Sequence, residues 1–309
     1  MENVSILKYA IIGFLTAAFA SGQESPLSNR AQPYLESAIA AGDPFVTVST
    51  ASGMPNISAD SRVTAFGANL APRTEASGPP YSTSLGGITL DVVDSNHVTR
   101  RALLFSTSPT RVDYLMPAGT AAGIATIRIN TEICAFSASG VFPTEPCTTT
   151  SHAQIQNVAP ALFTANGDGR GVVVGAAYRT IAGSLGPIAS TIQIYRCETD
   201  FANCTSLPID LGLDTPVTLL LYATGLRGRS SDSAIKLTIG GQEIPDRTIR
   251  FQDDAELTCG PVRQMCASAG IDLVLAKLPL SLRGLGEVDV VITSDGRSSN
   301  IGRINIGKN

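Results

Sequence analysis

No tryptophan occurs among the 309 residues, and only two histidines do, His97 and His152. Charged residues make up 16% of the chain, against a usual level of about 25%. That shortage excludes a charge-driven disordered chain and a long solvated coiled coil. The net charge is −4, so no basic field is present to recruit nucleic acid. No G-x-S-x-G, H-E-x-x-H, P-loop or G-x-G-x-x-G pattern appears. A hydrolytic triad needs a histidine beside a nucleophile and an orienting carboxylate, and two isolated histidines supply little towards one. No cysteine precedes Cys134, which excludes a lipid anchor just after an export signal.

What the chain does have is apolar residues at 43%, with 29 glycines and 18 prolines. This is enough for a real core in a turn-rich protein, and the length suggests about two domains. Near the start, Lys8 is followed by the uncharged run YAIIGFLTAAFA from Tyr9 to Ala20. A basic residue, a short apolar stretch and the small residues Ala18 and Ala20 are the parts of a secretory signal. The run is too short to span roughly 30 Å of hydrocarbon. The expectation is cleavage after Ala20 and an exported mature chain without a membrane span, secreted or retained in a periplasm.

The six cysteines form three close pairs in sequence: Cys134 and Cys147, Cys197 and Cys204, Cys259 and Cys266. Six cysteines can pair in about fifteen ways, but local staples across loop or hairpin tips are the economical solution. Disulfides persist in the oxidising compartment that an exported chain meets. Zinc is the competing reading, and it lacks a C-x-x-C and has only two histidines to draw on. No metal and no cofactor is therefore expected.

From Val46 onwards, short β-type runs alternate with Gly, Pro, Asn and Asp. Alternation is clear in Ile127 and Ile129 around Arg128, in Ile192 and Ile194, and in Ile235, Leu237 and Ile239. Many strands of this length read as sandwiches rather than α/β units. A degenerate repeat runs through SRVTAFGANL and TPVTLLLYATGL, then LGGITL and LTIGGQ, then two strand–Pro–Gly–strand closures. This reading pairs Val63 with Val217 and Gly87 with Gly241. The expected class is all-β: two immunoglobulin-like β-sandwich domains with a bridging β segment. The expected boundaries are a signal at 1–20, a linker at 21–45, a first sandwich at 46–149, a bridge at 150–214 and a second sandwich at 215–309. Within the linker a short helix from Pro33 to Ala41 is an option.

The ordered segments GANLAP, SLGGITLDV, VDYLMPAG, VAPALFTANGDGRG, LYATGLRGRSS, LTIGGQEIP and GEVDVVITSDGRSSNIGRINI resemble a C-terminal domain family of secreted proteins from Solibacter-type acidobacteria. The resemblance covers about residues 46–307. It implies export and two β-sandwich-like halves. The family has no assigned catalytic residues, so it implies none here. At 252–270 the chain departs from the family pattern, with QDDAELTCGPVRQMCASAG in place of a shorter glycine-rich link.

The candidate site residues each carry a bland reading as well. His97 lies in a polar turn and His152 at a strand start. Asp253-Asp254 could serve a glycosidase as a carboxylate pair, but strand neighbours point to opposite faces. Asp91 and Asp94 sit at a strand end. Asn166-Gly167-Asp168-Gly169-Arg170-Gly171 spaces oxygen ligands as calcium loops do, but lacks a bidentate acid. Asp295-Gly296 reads as a two-residue hairpin turn. Tyr81 is the aromatic expected at the surface, and Tyr114, Phe163, Tyr195 and Tyr222 are expected in the core. Arg227 and Arg229, beside Ser230, Ser231 and Ser233, could hold an anion or cap carbonyls. Taken together, the sequence points to an exported, non-catalytic interaction module. Its expected partner is an extracellular protein or a polysaccharide, with no nucleic acid. A carbohydrate-binding module is the alternative, and a cryptic hydrolase the third reading.

Overall fold

The computed structural model describes residues 26–131, 147–183, 186–198, 203–213, 215–251 and 269–308. The expected signal, Cys134, Cys259, Cys266 and Asp253-Asp254 lie outside these residues. The fold is all-β, and the chain divides into two compact units.

Among the described residues, the first unit takes in 26–50, 54–131, 147–157 and 269–270. Its helix α1 (Pro26–Ala40) precedes β1 (Phe45–Ser49), β2 (Ile57–Ser58), β3 (Arg62–Gly67), β4 (Glu75–Ala76), β5 (Ser84–Leu85) and β6 (Ile88–Val93). There follow β7 (Thr99–Arg101), β8 (Leu104–Thr107), β9 (Arg111–Leu115), β10 (Gly123–Thr131) and β11 (Cys147–Gln156). One sheet runs β1-β3-β9-β8-β4, and the other β2-β11-β10-β6 with β5 and β7 both on β6. Val63, Ala65, Val112 and Tyr114 of the first sheet share one core with Leu90, Val92, Ile127 and Ile129 of the second. This is a β-sandwich. The period of two decides which face closes: Ala125, Ile127 and Ile129 are buried, while Ile124, Thr126, Arg128 and Asn130 point outwards. Tyr114 is fully buried and shares a 3.1 Å hydrogen bond with Thr47, and burial raises its phenol pKa.

Among the described residues, the second unit takes in 51–53, 158–183, 186–198, 203–213, 215–251 and 271–308. Its strands are β12 (Ala161–Leu162), β13 (Gly171–Val172), β14 (Gly175–Gly183), β15 (Gly186–Ile192), β16 (Tyr195–Cys197), β17 (Cys204–Ser206) and β18 (Pro208–Ile209). There follow β19 (Val217–Thr224), β20 (Ile235–Ile239), β21 (Gln242–Glu243), β22 (Arg247–Phe251), β23 (Asp272–Leu278), β24 (Gly286–Ser294), β25 (Arg297–Ser298) and β26 (Gly302–Ile306). One sheet runs β15-β14-β19-β23-β22, the other β13-β26-β24-β20-β21, and β16-β17 stand as a separate hairpin. Leu219, Leu221, Val274 and Ala276 pack against Leu237, Ile239, Val290, Ile292 and Ile304 in a second core.

The two units repeat one strand order. The path β1-β3-β9-β8 corresponds to β14-β19-β23-β22, and β11-β10-β6-β7 to β26-β24-β20-β21. Pro117 follows β9 as Pro279 follows β23, and on that match Val63 falls opposite Leu219, two residues from Val217. The Gly87–Gly241 pairing does not hold. Gly86-Gly87 joins β5 to β6, whereas Gly240-Gly241 joins β20 to β21, the place that residues 94–98 occupy in the first unit. Both dipeptides have positive φ at each position (58° and 81°; 57° and 80°). A type I′ turn needs that conformation wherever it sits, so the shared dipeptide reports a turn type and not an equivalent site.

Two expected segments take other forms. Residues 26–40, expected as linker, are α1, which begins on a proline that needs no N–H partner there. Leu27 and Ala31, four apart on one helix face, pack on Val46, Val48 and Phe66. Residues 150–214, expected as a bridge, are divided: β11 completes the first unit and 158–213 belong to the second.

Candidate binding surface

The acids that end β6 hold structure together. Asp94 is buried. It accepts the N–H groups of Asn96 (2.9 Å), Val98 (3.0 Å) and Ala121 (3.1 Å), and Arg100 reaches it at 2.5 Å. The Val98 N–H is the largest of the forces that pull its pKa down to about 2, and those of Ala121, Arg100 and Asn96 add to it. His97 stands at the corner of this turn with φ 60°, a conformation in which histidine is among the tolerated residues. His152 is exposed on β11, with Nδ1 2.9 Å from Asp43 Oδ1.

In the second unit Arg227 and Arg229 brace a loop. Asp272 is fully buried, accepting the Leu226 N–H at 3.0 Å and Arg227 Nε at 3.1 Å. Arg229 bonds Asp232 at 2.8 Å and lies 4.0 Å over the Phe251 ring. The Ser230 hydroxyl and N–H both donate to Asp295, whose pKa they lower. The partners of both arginines are thus this chain's own carboxylates. The 166–171 loop is a turn: Asp168 Oδ1 accepts the Arg170 N–H at 2.6 Å, and Asn300 Nδ2 donates to the Gly169 carbonyl at 3.0 Å. Among the described residues no cluster of three His, Cys, Asp or Glu could hold a metal ion.

Tyr81 is half-buried and meets Phe105 edge to face at 4.6 Å, with Arg62 3.8 Å over the other ring. A surface role was expected of Tyr81, but the guanidinium and two rings form a covered cluster instead. Tyr222 is buried and its pKa is pushed up to about 12 by desolvation; Tyr195 is partly buried and raised for the same reason. Cys197 and Cys204 face each other on β16 and β17 and form a disulfide, with Cα atoms 4.0 Å apart. Cys147 is disulfide-bonded.

A connected set of polar side chains lies on the outward face of β7-β6-β10-β11. The register places Arg101 opposite Asp91, Asp91 opposite Arg128, and Arg128 opposite Thr150. Arg101 grips Asp91 through two bonds of 2.6 and 3.1 Å. Asn130 Nδ2 donates to Asp91 at 2.9 Å, and Thr148 Oγ1 donates to Asn130 Oδ1 at 2.9 Å. One hydrogen-bonded row therefore crosses four strands. Beside it Arg128 is exposed, and among the described residues its guanidinium has no hydrogen-bond or ion-pair partner. Alternation around Arg128 was visible in the sequence. The row was not, because it depends on cross-strand register.

No family model matches the sequence, and no curated protein matches it. Among solved structures, a Bacteroides vulgatus protein provisionally described as a bacterial DNA-binding protein aligns over 32% of this chain and 39% of its own, at 18% identity and a TM-score of 0.22. A likeness that partial assigns neither fold nor function. Among the described residues, no helix is long and apolar enough to cross a membrane.

Proposed function

We propose that the chain is an exported, non-catalytic interaction module whose binding surface is the outward face of β7-β6-β10-β11. The observation that carries this is the Arg101–Asp91–Asn130–Thr148 row with Arg128 unpartnered beside it. A guanidinium offers five donors in a fixed plane, and here they stand on a rigid sheet rather than a loop. A saccharide is the partner that fits this face best. Protein interfaces are built around an apolar core, whereas Ile124 is the large apolar side chain exposed on β10 here. Planar amide, carboxylate and guanidinium groups suit a chain of hydroxyls. Export is supported by the leader-like start and by the Cys197–Cys204 bond. The non-catalytic reading is supported by Asp91 and Asp94, which are tied to arginines and backbone N–H groups.

The test is a polysaccharide panel applied to the mature protein, scored for retention and for released reducing ends in the same samples. Retention without release supports the reading. Release of reducing ends would assign the chain to the hydrolases, and retention by immobilised extracellular proteins alone would replace the saccharide by a protein partner.

A further inference from the structure

The charge of the β7-β6-β10-β11 face runs against that of the chain. The chain carries a net −4. The outward positions of these strands are those in step with Thr99, Asp91, Arg128 and Thr150. Among the described residues, Asp91 is the one acid at those positions, against Arg101 and Arg128. His152 on β11 has a carboxylate of its own in Asp43, at 2.9 Å.

Asp91 is already occupied. Its Oδ1 accepts Arg101 Nε, and its Oδ2 accepts Arg101 Nη2 and Asn130 Nδ2. Arg128 lies opposite Asp91 in the register, yet among the described residues its guanidinium has no hydrogen-bond or ion-pair partner. One positive charge is therefore left over. Solvent access has the same bias. The Arg101 side chain is 47% exposed and that of Asp91 17%, while Arg128 is exposed. An approaching ligand meets guanidinium before carboxylate.

The same positions hold no Phe, Tyr or Trp. A neutral sugar ring has no flat apolar surface to lie on here, so hydrogen bonds must supply the affinity. Bonds to neutral hydroxyls replace bonds to water at small net gain, whereas charge-assisted bonds are roughly twice as strong. The fork of a guanidinium matches two oxygens of one acidic group.

We infer that the saccharide of this face is acidic, with Arg128 forking the oxygens of a carboxylate or a sulfate ester along the polymer. The inference rests on the saccharide reading and adds the class of sugar to it.

The experiment is retention of the mature chain on two pairs of immobilised polymers. One pair is polygalacturonate and the same polymer with its carboxyl groups reduced to alcohols; the other is dextran sulfate and dextran. Retention by an acidic member is expected, lost on adding about 0.5 M salt through screening. It should fall about tenfold or more on the neutral counterpart, and equally with Arg128→Ala. Arg128→Lys keeps the charge without the fork and should recover part of that loss. The first pair reports a carboxylate and the second a sulfate ester. Equal retention by charged and neutral members, or retention by neutral polymers alone, would overturn the acidic class and leave the saccharide reading in place. Acidic polymers that hold Arg128→Ala as tightly as wild type would overturn the site. A chain retained by no polysaccharide would overturn both readings.

Discussion

Asp272→Asn is the most informative single change in the second unit. Asp272 is fully buried at the start of β23, with one oxygen on the Leu226 N–H and the other on Arg227 Nε. Asparagine keeps the shape but replaces one acceptor by an NH2 group. That group must then face either a backbone N–H or a guanidinium, both of which are donors. Removing one partner of a buried pair costs about 3–5 kcal/mol. Arg227 keeps slight solvent access, which places the expected loss near the lower end, about 3 kcal/mol. For a unit of this size that is a drop in melting temperature of about 10 °C. Calorimetry is the assay, since there is no tryptophan to report by fluorescence. A double-mutant cycle with Arg227→Met isolates the pair. Saccharide retention should be unchanged, because the residue sits in the other unit from the proposed face. A loss below about 1 kcal/mol, within the range of exposed ion pairs, would show that the carboxylate is solvated and that this loop closure is wrong.

Three further outcomes are expected. Asp94 has its folded-state pKa depressed from 3.8 to about 2, so the stability it confers is present above pH 4 and is lost as the pH falls towards 2; acid unfolding curves of wild type and Asp94→Asn should differ above pH 4 and converge near pH 2, and a constant gap would contradict the assignment. Replacing Cys197 and Cys204 together by Ser should cost at most about 2.5 kcal/mol in the chain-entropy account of so small a loop, with proteolysis rising between residues 197 and 204; loss of folding would show that this bond holds more than the β16–β17 hairpin. Mass spectrometry of the exported protein should find a chain beginning at Ser21 or within a few residues, and one beginning at Met1 would refute the signal reading.

Strand identity was legible because its signal is local. Ile127 and Ile129 around Arg128, or Ile235, Leu237 and Ile239, alternate with a period of two, and both sets are buried as that period requires. The correspondence of β3 with β19 was legible in SRVTAFGANL and TPVTLLLYATGL, to within two residues, for the same reason. The extent of α1 was harder to read, because Pro33 looks like a helix start and sits inside the helix instead. The division of 150–214 rests on β11 pairing with β10 and on β12 pairing with β19, long-range choices with no local signature. The polar row across β7-β6-β10-β11 was illegible for a related reason. Nothing near Asp91 in sequence announces that Asn130, 39 residues on, will donate to it. Tyr81 misled because a tyrosine after Gly-Pro-Pro looks exposed, while Phe105 of β8 meets its ring and Arg62 of β3 lies over Phe105.

The most direct test of the central claim is affinity electrophoresis of the mature wild type and Arg128→Ala through gels containing the polysaccharides of the panel. The Arg128 guanidinium is exposed and, among the described residues, unpartnered, so its removal should leave stability within the small range of surface substitutions, about ±0.5 kcal/mol. The account predicts that at least one polysaccharide retards the wild type, that Arg128→Ala migrates as in a blank gel, and that no reducing ends appear. Equal retardation of the two proteins, or wild-type migration unaffected by every polysaccharide, would contradict it.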